Sequence, residues 1–234
     1  MAAAASIEAR DDGAVRFVID APDDRARDLL PKMGYLPDGD AGGRCVTRWF
    51  PPAAGAARYL ARFNAAIGPM LRQTAGLETA PWEDALLAFL RRVEGTGLDW
   101  WLYGSAALAV RGLAVAPGDV DVRVHDAFAL GRVLDDWLVT PVERMRGWVA
   151  AEHGRAFRGA VVEWIARPDP ALDDPAAPHE QGALIAPEIE VAHWRGHAVR
   201  VPPLSASLRS CEQRGLHDRA ALVRAAIARG GLRA

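Results

Sequence analysis

Two aspartates separated by one residue, Asp119 and Asp121, are the side chains of this sequence best suited to chemistry. They belong to the run Asp-Val-Asp-Val, which predicts a β-strand with both carboxylates on one face and the valines in a core. Neighbouring carboxylates repel each other. Mg²⁺ offsets such repulsion, because it is commonly bound by one or two carboxylates together with substrate phosphates. The pair therefore predicts a metal site.

A glycine turn lies upstream of the two acids. The run Trp-Leu-Tyr over 101–103 predicts a strand that ends at Gly104 and Ser105, where a short helix begins. Backbone N–H groups at such a turn can bind phosphate. Ser105 could contact a phosphate or simply cap the helix. Arg123 lies two residues beyond Asp121 on the same predicted face, and it could contact a triphosphate or pair with one of the acids.

This arrangement resembles the signature of the nucleotidyltransferase superfamily. In that signature a hydrophobic residue and Gly-Gly or Gly-Ser are followed, after a short spacer, by acid-hydrophobic-acid-hydrophobic. The resemblance covers residues 98 to 166 and extends more weakly to 228. It implies an α+β fold with a nucleotidyltransferase-like mixed sheet flanked by helices. It also implies the Mg²⁺-dependent transfer of a nucleoside monophosphate from an NTP, expected to be AMP from ATP, to an acceptor hydroxyl, with release of pyrophosphate.

The family also places a third acid on a later strand, between hydrophobic residues. Glu163, within Val-Glu-Trp, matches best, and Glu152 on the neighbouring predicted strand is the alternative. The resemblance implies that the third acid completes the metal shell or takes the proton of the acceptor hydroxyl. The catalytic and metal-binding residues that it implies are Asp119, Asp121 and Glu163. The nucleotide-binding residues that it implies are Gly104, Ser105 and Arg123.

The acceptor is not determined by these motifs. The chain looks most like small bacterial members, including aminoglycoside- or lincosamide-nucleotidyltransferase-like proteins and abortive-infection toxin-like proteins. A non-catalytic nucleotide-binding or toxin–antitoxin-type protein that retains the fold is an alternative, and failure of Glu163 to face the aspartates would favour it. A third hypothesis is an interaction protein built on the first hundred residues. An exposed apolar patch around Trp49, Phe50 and Tyr59 would favour that function.

The elements around the motif suggest four segments. Residues 1–54 form a small α/β N-terminal extension, with strands predicted at 14–20 and 44–50, a helix between them and a frayed start over 1–12. Residues 55–97 form a helical linker segment, and 98–201 form the catalytic core. Two hairpins are predicted in that core, joined by a loop over 168–187. Residues 202–234 form C-terminal helices. A chain that starts near Ala56 is therefore expected to retain nucleotide binding.

The net charge and the cysteine and histidine content indicate which binding partners are expected. The chain has 234 residues, half of them hydrophobic, and a formal net charge of −2. Nucleic acid is therefore a possible partner that charge does not favour. Cys45 and Cys211 are far apart, and the scattered histidines, His153 among them, lack zinc spacing and are predicted to be surface or hairpin residues. No targeting or membrane-spanning run is evident, which predicts a cytoplasmic protein. The oligomeric state is not predicted.

Overall fold

A computed structural model describes residues 2–39, 44–51, 55–146, 150–168 and 188–230. The first predicted hairpin begins at Trp148, which lies outside the described residues. The predicted loop over 168–187 also lies outside them, except for Pro168. None of the helices in these ranges combines the length and the apolar composition of a membrane span.

The N-terminal unit is a small antiparallel sheet with the strand order β1-β2-β4-β3. Its elements are β1 (Ala4–Ala9), β2 (Val15–Asp20), α1 (Asp24–Leu29), a 3₁₀ turn (Pro31–Met33), β3 (Leu36–Pro37) and β4 (Cys45–Val46). The frayed start predicted for 1–12 is wrong, because β1 pairs with β2 along its whole length. The Asn64 side chain also accepts a hydrogen bond from the Ala5 N–H and donates one to the Ala5 carbonyl. Backbone pairing therefore holds β1, while its side chains are mostly exposed. Because those side chains do not face a core, the sequence of β1 lacks the apolar alternation that predicts a strand.

Two helices join the N-terminal unit to the main sheet. They are α2 (Ala56–Thr74) and α3 (Trp82–Val93). Each helix buries one apolar stripe, as its spacing predicts. Phe63 of α2 packs edge-to-face against Phe17 and Tyr35 of the N-terminal unit. Phe89 of α3 packs edge-to-face against Trp100. The helices therefore belong to one core that runs from Phe17 to Val201.

The main sheet carries the sequence motifs. Its elements are β5 (Trp100–Tyr103), α4 (Gly104–Ala109), β6 (Asp119–Val124), α5 (Ala127–Val133), β7 (Glu143–Arg144), β8 (Ala150–Arg158) and β9 (Ala160–Pro168). The strand order is β5-β6-β9-β8-β7. Strands β6 and β9 are parallel, and the other pairs are antiparallel. The predicted α+β class, with a mixed sheet flanked by helices, is confirmed.

One face of this sheet is packed in the core. Val120 and Val122 of β6 and Trp164 of β9 are fully buried there. Helices α3 and α5 cover this face. Trp164 donates a hydrogen bond of 3.0 Å to the Ala127 carbonyl at the start of α5. Its ring lies directly against Gly154 of β8, where a Cβ atom would collide with it. The valines therefore face the core as predicted, which leaves the opposite face for the acids.

The C-terminal part consists of a hairpin and two helices. These are β10 (Glu190–Trp194), β11 (His197–Val201), α6 (Leu204–Gln213) and α7 (His217–Ala228). Strand β11 packs beside β5, and α6 packs against α7. Leu108 at the end of α4 forms a small core with residues of both helices. An exposed apolar patch around Trp49, Phe50 and Tyr59 would favour an interaction protein, but the described residues show no such patch. Phe50 and Tyr59 are buried, and Arg10 and Arg16 lie over the Trp49 ring.

Candidate nucleotide and metal site

The two aspartates lie on the face of the main sheet opposite the buried valines. In the register of the sheet, Asp121 pairs with Glu163 on one side and with Tyr103 on the other. Paired residues of neighbouring strands point to the same face. Both aspartates are partly exposed, whereas Val120 and Val122 are fully buried. The alternation predicted from the sequence therefore places Asp119, Asp121 and Glu163 on one face.

The glycine turn lies against the second aspartate. Gly104 has a φ of +65°, a conformation that glycine adopts readily. A Cβ atom at Gly104 would lie well within 3.0 Å of the Asp121 carboxylate. The turn and the acid are therefore in contact, although they are separated in the sequence. Ser105 is buried in the first turn of α4, and the N-cap position belongs to Tyr103, so the capping alternative for Ser105 is wrong.

The Glu163 carboxylate is fixed by two basic side chains. Its Oε1 atom lies 2.6 Å from Nε2 of His153, and its Oε2 atom lies 3.2 Å from Nη2 of Arg155. Burial alone would raise the pKa of Glu163, but the charges and hydrogen bonds of Arg155 and His153 outweigh it and lower the pKa to about 2. Glu163 is therefore ionised at neutral pH, and its orientation is set from β8.

Arg155 connects this site to the N-terminal unit. Its Nη2 atom donates a 2.7 Å hydrogen bond to the Met33 carbonyl. Its guanidinium lies 5.1 Å from the centre of the Tyr35 ring. Burial opposes the charged form of Arg155, but Glu163 and Tyr35 outweigh burial and raise the Arg155 pKa above its ordinary value. The N-terminal unit thus fixes the residue that holds Glu163.

Glu152, the alternative third acid, points to the other side of the sheet. It pairs with Ala166, next to Ile165, so alternation places it on the face opposite His153 and Glu163. Its carboxylate accepts a 3.4 Å hydrogen bond from the Ala127 N–H and lies 3.7 Å from Arg167. Of the two candidates, only Glu163 shares a face with Asp121.

Arg123 is buried beside the aspartates. Its guanidinium lies 5.3 Å from the centre of the Trp101 ring. One nitrogen makes a long 3.5 Å contact with the Ile165 carbonyl. Among the described residues its Nε atom has no hydrogen-bond partner. Burial lowers the pKa of Arg123, although Asp99, Tyr103 and Glu152 oppose this. The structure thus places a buried cation on the strand that carries both aspartates.

The donor set fits a cation held by two carboxylates rather than by a cage of protein ligands. No group of three or more His, Cys, Asp or Glu in the described part of the chain is arranged to hold a metal ion. The partly exposed carboxylates of Asp119 and Asp121 are oxygen ligands of the kind that Mg²⁺ prefers, and phosphates commonly complete its shell. The close contact of Asp121 with the Gly104 turn fits a site where phosphate and cation meet.

His153 and Arg155 are the two residues of the site that the sequence did not reveal. Of the two predicted alternatives for His153, the hairpin position is confirmed, because it lies on β8 of the β8–β9 hairpin. The surface position is wrong, because His153 is buried and bonded to Glu163. The predicted strand ended at His153, whereas β8 continues to Arg158. Strand periodicity over that longer range places His153 and Arg155 on one face with Glu163.

Comparisons with known proteins give one similar structure. No family model matches the chain, and no curated protein matches it. A crystal structure from Thermotoga maritima, described as that of a "putative nucleotidyltransferase", is similar with a TM-score of 0.46 and 16% sequence identity. The similarity covers 63% of this chain and 92% of the other. A likeness at this level does not decide what this chain does, so function has to be inferred from the site.

Proposed function

We propose that this protein is a nucleotidyltransferase that transfers AMP from ATP to an acceptor hydroxyl and requires Mg²⁺. The observation that carries the proposal is the contact between the Gly104 turn and the Asp121 carboxylate. A phosphate bound at the turn would lie beside the carboxylates of β6.

Each residue of the site has a role in this proposal. Asp119 and Asp121 would hold Mg²⁺, which would neutralise the charge of the phosphates. The backbone of Gly104 and Ser105 would bind the phosphates, and the buried Ser105 hydroxyl lies at the same turn. Arg123, two residues beyond Asp121 on the same strand, would add positive charge beside the phosphates. These groups orient the triphosphate, and electrostatic stabilisation of this kind is a large part of phosphoryl-transfer catalysis.

Glu163 would act at the acceptor side of the aspartates. As a carboxylate with a pKa of about 2 it is a weak base, because efficient proton acceptors have a pKa near the working pH. Its fixed negative charge suits metal binding, as the family resemblance implies, or orientation of an acceptor hydroxyl. The bonds from His153 and Arg155 hold the carboxylate in place for either role.

One observation favours a second function, a non-catalytic nucleotide-binding protein that retains the fold. Glu163 shares a face with the aspartates, but its carboxylate is bonded to His153 and Arg155. The described residues include no three-acid metal cluster. A protein with only the turn and the two aspartates would bind Mg²⁺–ATP without transferring its AMP.

Titration calorimetry with ATP, in the presence and absence of Mg²⁺, tests the nucleotide site that both functions share. We expect binding that depends on Mg²⁺ and that Asp121→Asn abolishes. The matched control is Asp11→Asn, which changes an exposed aspartate in the β1–β2 turn and should bind ATP normally. Equal ATP binding by Asp121→Asn and Asp11→Asn would contradict the proposed nucleotide site.

A further inference from the structure

A cavity of about 120 Å³ lies between the N-terminal unit and the main sheet. Tyr35 and Arg48 line it on the side of the N-terminal unit. Glu143, His153, Arg155 and Glu163 line it on the side of the sheet. Since liquid water occupies about 30 Å³ per molecule, this space corresponds to about four water molecules. It suits a compact ligand, or one compact group of a larger ligand.

The cavity contains a buried hydroxyl without a hydrogen bond. Tyr35 is 4% exposed, and its hydroxyl has no hydrogen-bond partner among the described residues. Arg155 lies over the ring of Tyr35. Burial raises the pKa of this hydroxyl, although Arg155 opposes the rise. A hydroxyl that lines a cavity can bond to water in the free protein and to a ligand in the complex.

Two opposite charges also line the cavity. Glu143 of β7 and Arg48 after β4 form no ion pair within 4.0 Å in the described part of the chain. Burial raises the pKa of Glu143, although His153, Arg155 and Arg48 oppose this. The other charged pair of the cavity, Arg155 and Glu163, is satisfied internally. The cavity thus offers one carboxylate from the sheet and one guanidinium from the N-terminal unit to a ligand.

We propose that this cavity binds a compact zwitterionic group of the amino-acid type, with its ammonium on Glu143, its carboxylate on Arg48 and a hydrogen bond to the Tyr35 hydroxyl. A ligand with both charges complements both walls, whereas a ligand with one charge leaves the other wall unpaired. Charge-assisted hydrogen bonds of this kind are stronger than neutral ones. Amino-acid binding in this cavity does not depend on the proposed nucleotidyl transfer.

The position of the cavity links it to the proposed reaction. Glu163 lines the cavity and pairs in register with Asp121. A ligand in the cavity would therefore lie one strand away from the proposed nucleotide site. This assignment rests on the proposed function: the cavity holds the acceptor of AMP. That acceptor carries an amino-acid group together with the hydroxyl that receives AMP.

Saturation-transfer NMR on the full chain tests the cavity with a pool of the twenty common amino acids. Methylamine and acetate, which each carry one of the two charges, serve as single-charge probes. We expect at least one amino acid to bind, and the two single-charge probes to bind at least about ten-fold more weakly, because each lacks one charge-assisted bond. Binding of no amino acid, or equal binding of the single-charge probes, would overturn the proposal.

Variants place the binding in the cavity. Glu143→Gln and Arg48→Gln should each weaken amino-acid binding about ten-fold. The matched controls Glu94→Gln and Arg209→Gln change exposed charges elsewhere and should bind normally. Tyr35→Phe should also weaken amino-acid binding, because it removes the hydroxyl that bonds to the ligand. If the cavity variants bind as well as their controls, the amino acid binds elsewhere and the proposal fails.

The two proposals fail separately. Amino-acid binding without Mg²⁺–ATP binding would leave the cavity in place and remove the nucleotidyltransferase function. Mg²⁺–ATP binding without amino-acid binding would leave the function in place and remove the cavity ligand.

Discussion

Gly104 and Asp121 define the site at the scale of single residues. The turn needs a residue that tolerates a φ of +65°, and the carboxylate needs the space that a Cβ atom would fill. Either condition alone occurs in ordinary turns. Together they make Gly104 the position at which the smallest substitution should remove function.

We predict that Gly104→Ala abolishes Mg²⁺–ATP binding. Its Cβ atom would displace the Asp121 carboxylate, and its left-handed backbone would cost about 1–2 kcal/mol of stability. The matched control is Gly112→Ala, which has a φ of +80° and nothing within 4 Å of an added Cβ atom. Urea unfolding should show a similar loss of stability in both variants, and calorimetry should show loss of ATP binding only in Gly104→Ala. Loss of binding in both would mean that backbone strain, and not contact with Asp121, is the cause.

A second residue-scale prediction concerns acid stability. The pKa of Glu163 is lowered in the folded protein from 4.5 to about 2. The ionised form therefore stabilises the fold above about pH 4.5, by up to about 3 kcal/mol, and this contribution is lost as the pH falls toward 2. Urea unfolding across this range should show a shallower pH dependence for Glu163→Gln than for the wild type. The variant should also be less stable at pH 7, because it leaves Arg155 buried without its partner. Parallel pH curves would contradict the ion pair.

At the scale of elements, strands β8 and β9 position the site through an unusually close contact. Trp164 fills the core face of β9 directly against Gly154 of β8, and Glu163 and Arg155 meet on the other face. The close contact on one face and the ion pair on the other connect the same two strands. A change at Gly154 should therefore disturb both.

We predict that Gly154→Ala destabilises the protein by about 1–3 kcal/mol, because its Cβ atom would overlap the buried Trp164 ring. Gly118→Ala is the control, since a Cβ atom there has nothing within 4 Å and the backbone is not left-handed. Urea unfolding measures both. Equal stability of the two variants would show that β8 can move away from Trp164 without cost.

The sequence predicted the elements whose pattern is local. Alternation in β6 and β9 placed the valines in the core and the acids together, and helical spacing predicted the buried stripes of α2 and α3. It missed β1, whose side chains are mostly exposed. It also missed the anchoring of Arg155, because that bond goes to the Met33 carbonyl, 122 residues away. A backbone acceptor carries no side-chain pattern, so such a contact cannot be read from residue types.

At the scale of the whole molecule, the N-terminal unit is joined to the main sheet by both packing and polar contacts. One core runs from Phe17 through Phe63 and Phe89 to Trp164. The Met33 carbonyl binds the arginine that holds Glu163. These contacts bear on the expectation that a chain starting near Ala56 retains nucleotide binding. Such a chain keeps Asp119 and Asp121 but loses the anchor of Arg155 and exposes Phe63.

We predict that the full chain unfolds in a single cooperative transition, because its core is continuous. Differential scanning calorimetry should give a calorimetric enthalpy equal to the van't Hoff enthalpy. The chain that starts at Ala56 should be markedly less stable, since it exposes the apolar stripe of α2. Two separate transitions in the full chain would show that the N-terminal unit folds on its own.

Isotope labelling of ATP tests the central claim, nucleotidyl transfer, most directly. The protein would be incubated with Mg²⁺ and a small-molecule cell extract that supplies the acceptor, with ATP labelled either at the α-phosphate or at the γ-phosphate. The account predicts that the α label appears in a new product and the γ label in pyrophosphate, and that neither change occurs with Asp121→Asn. A γ label in the product, or no release of pyrophosphate, would contradict it.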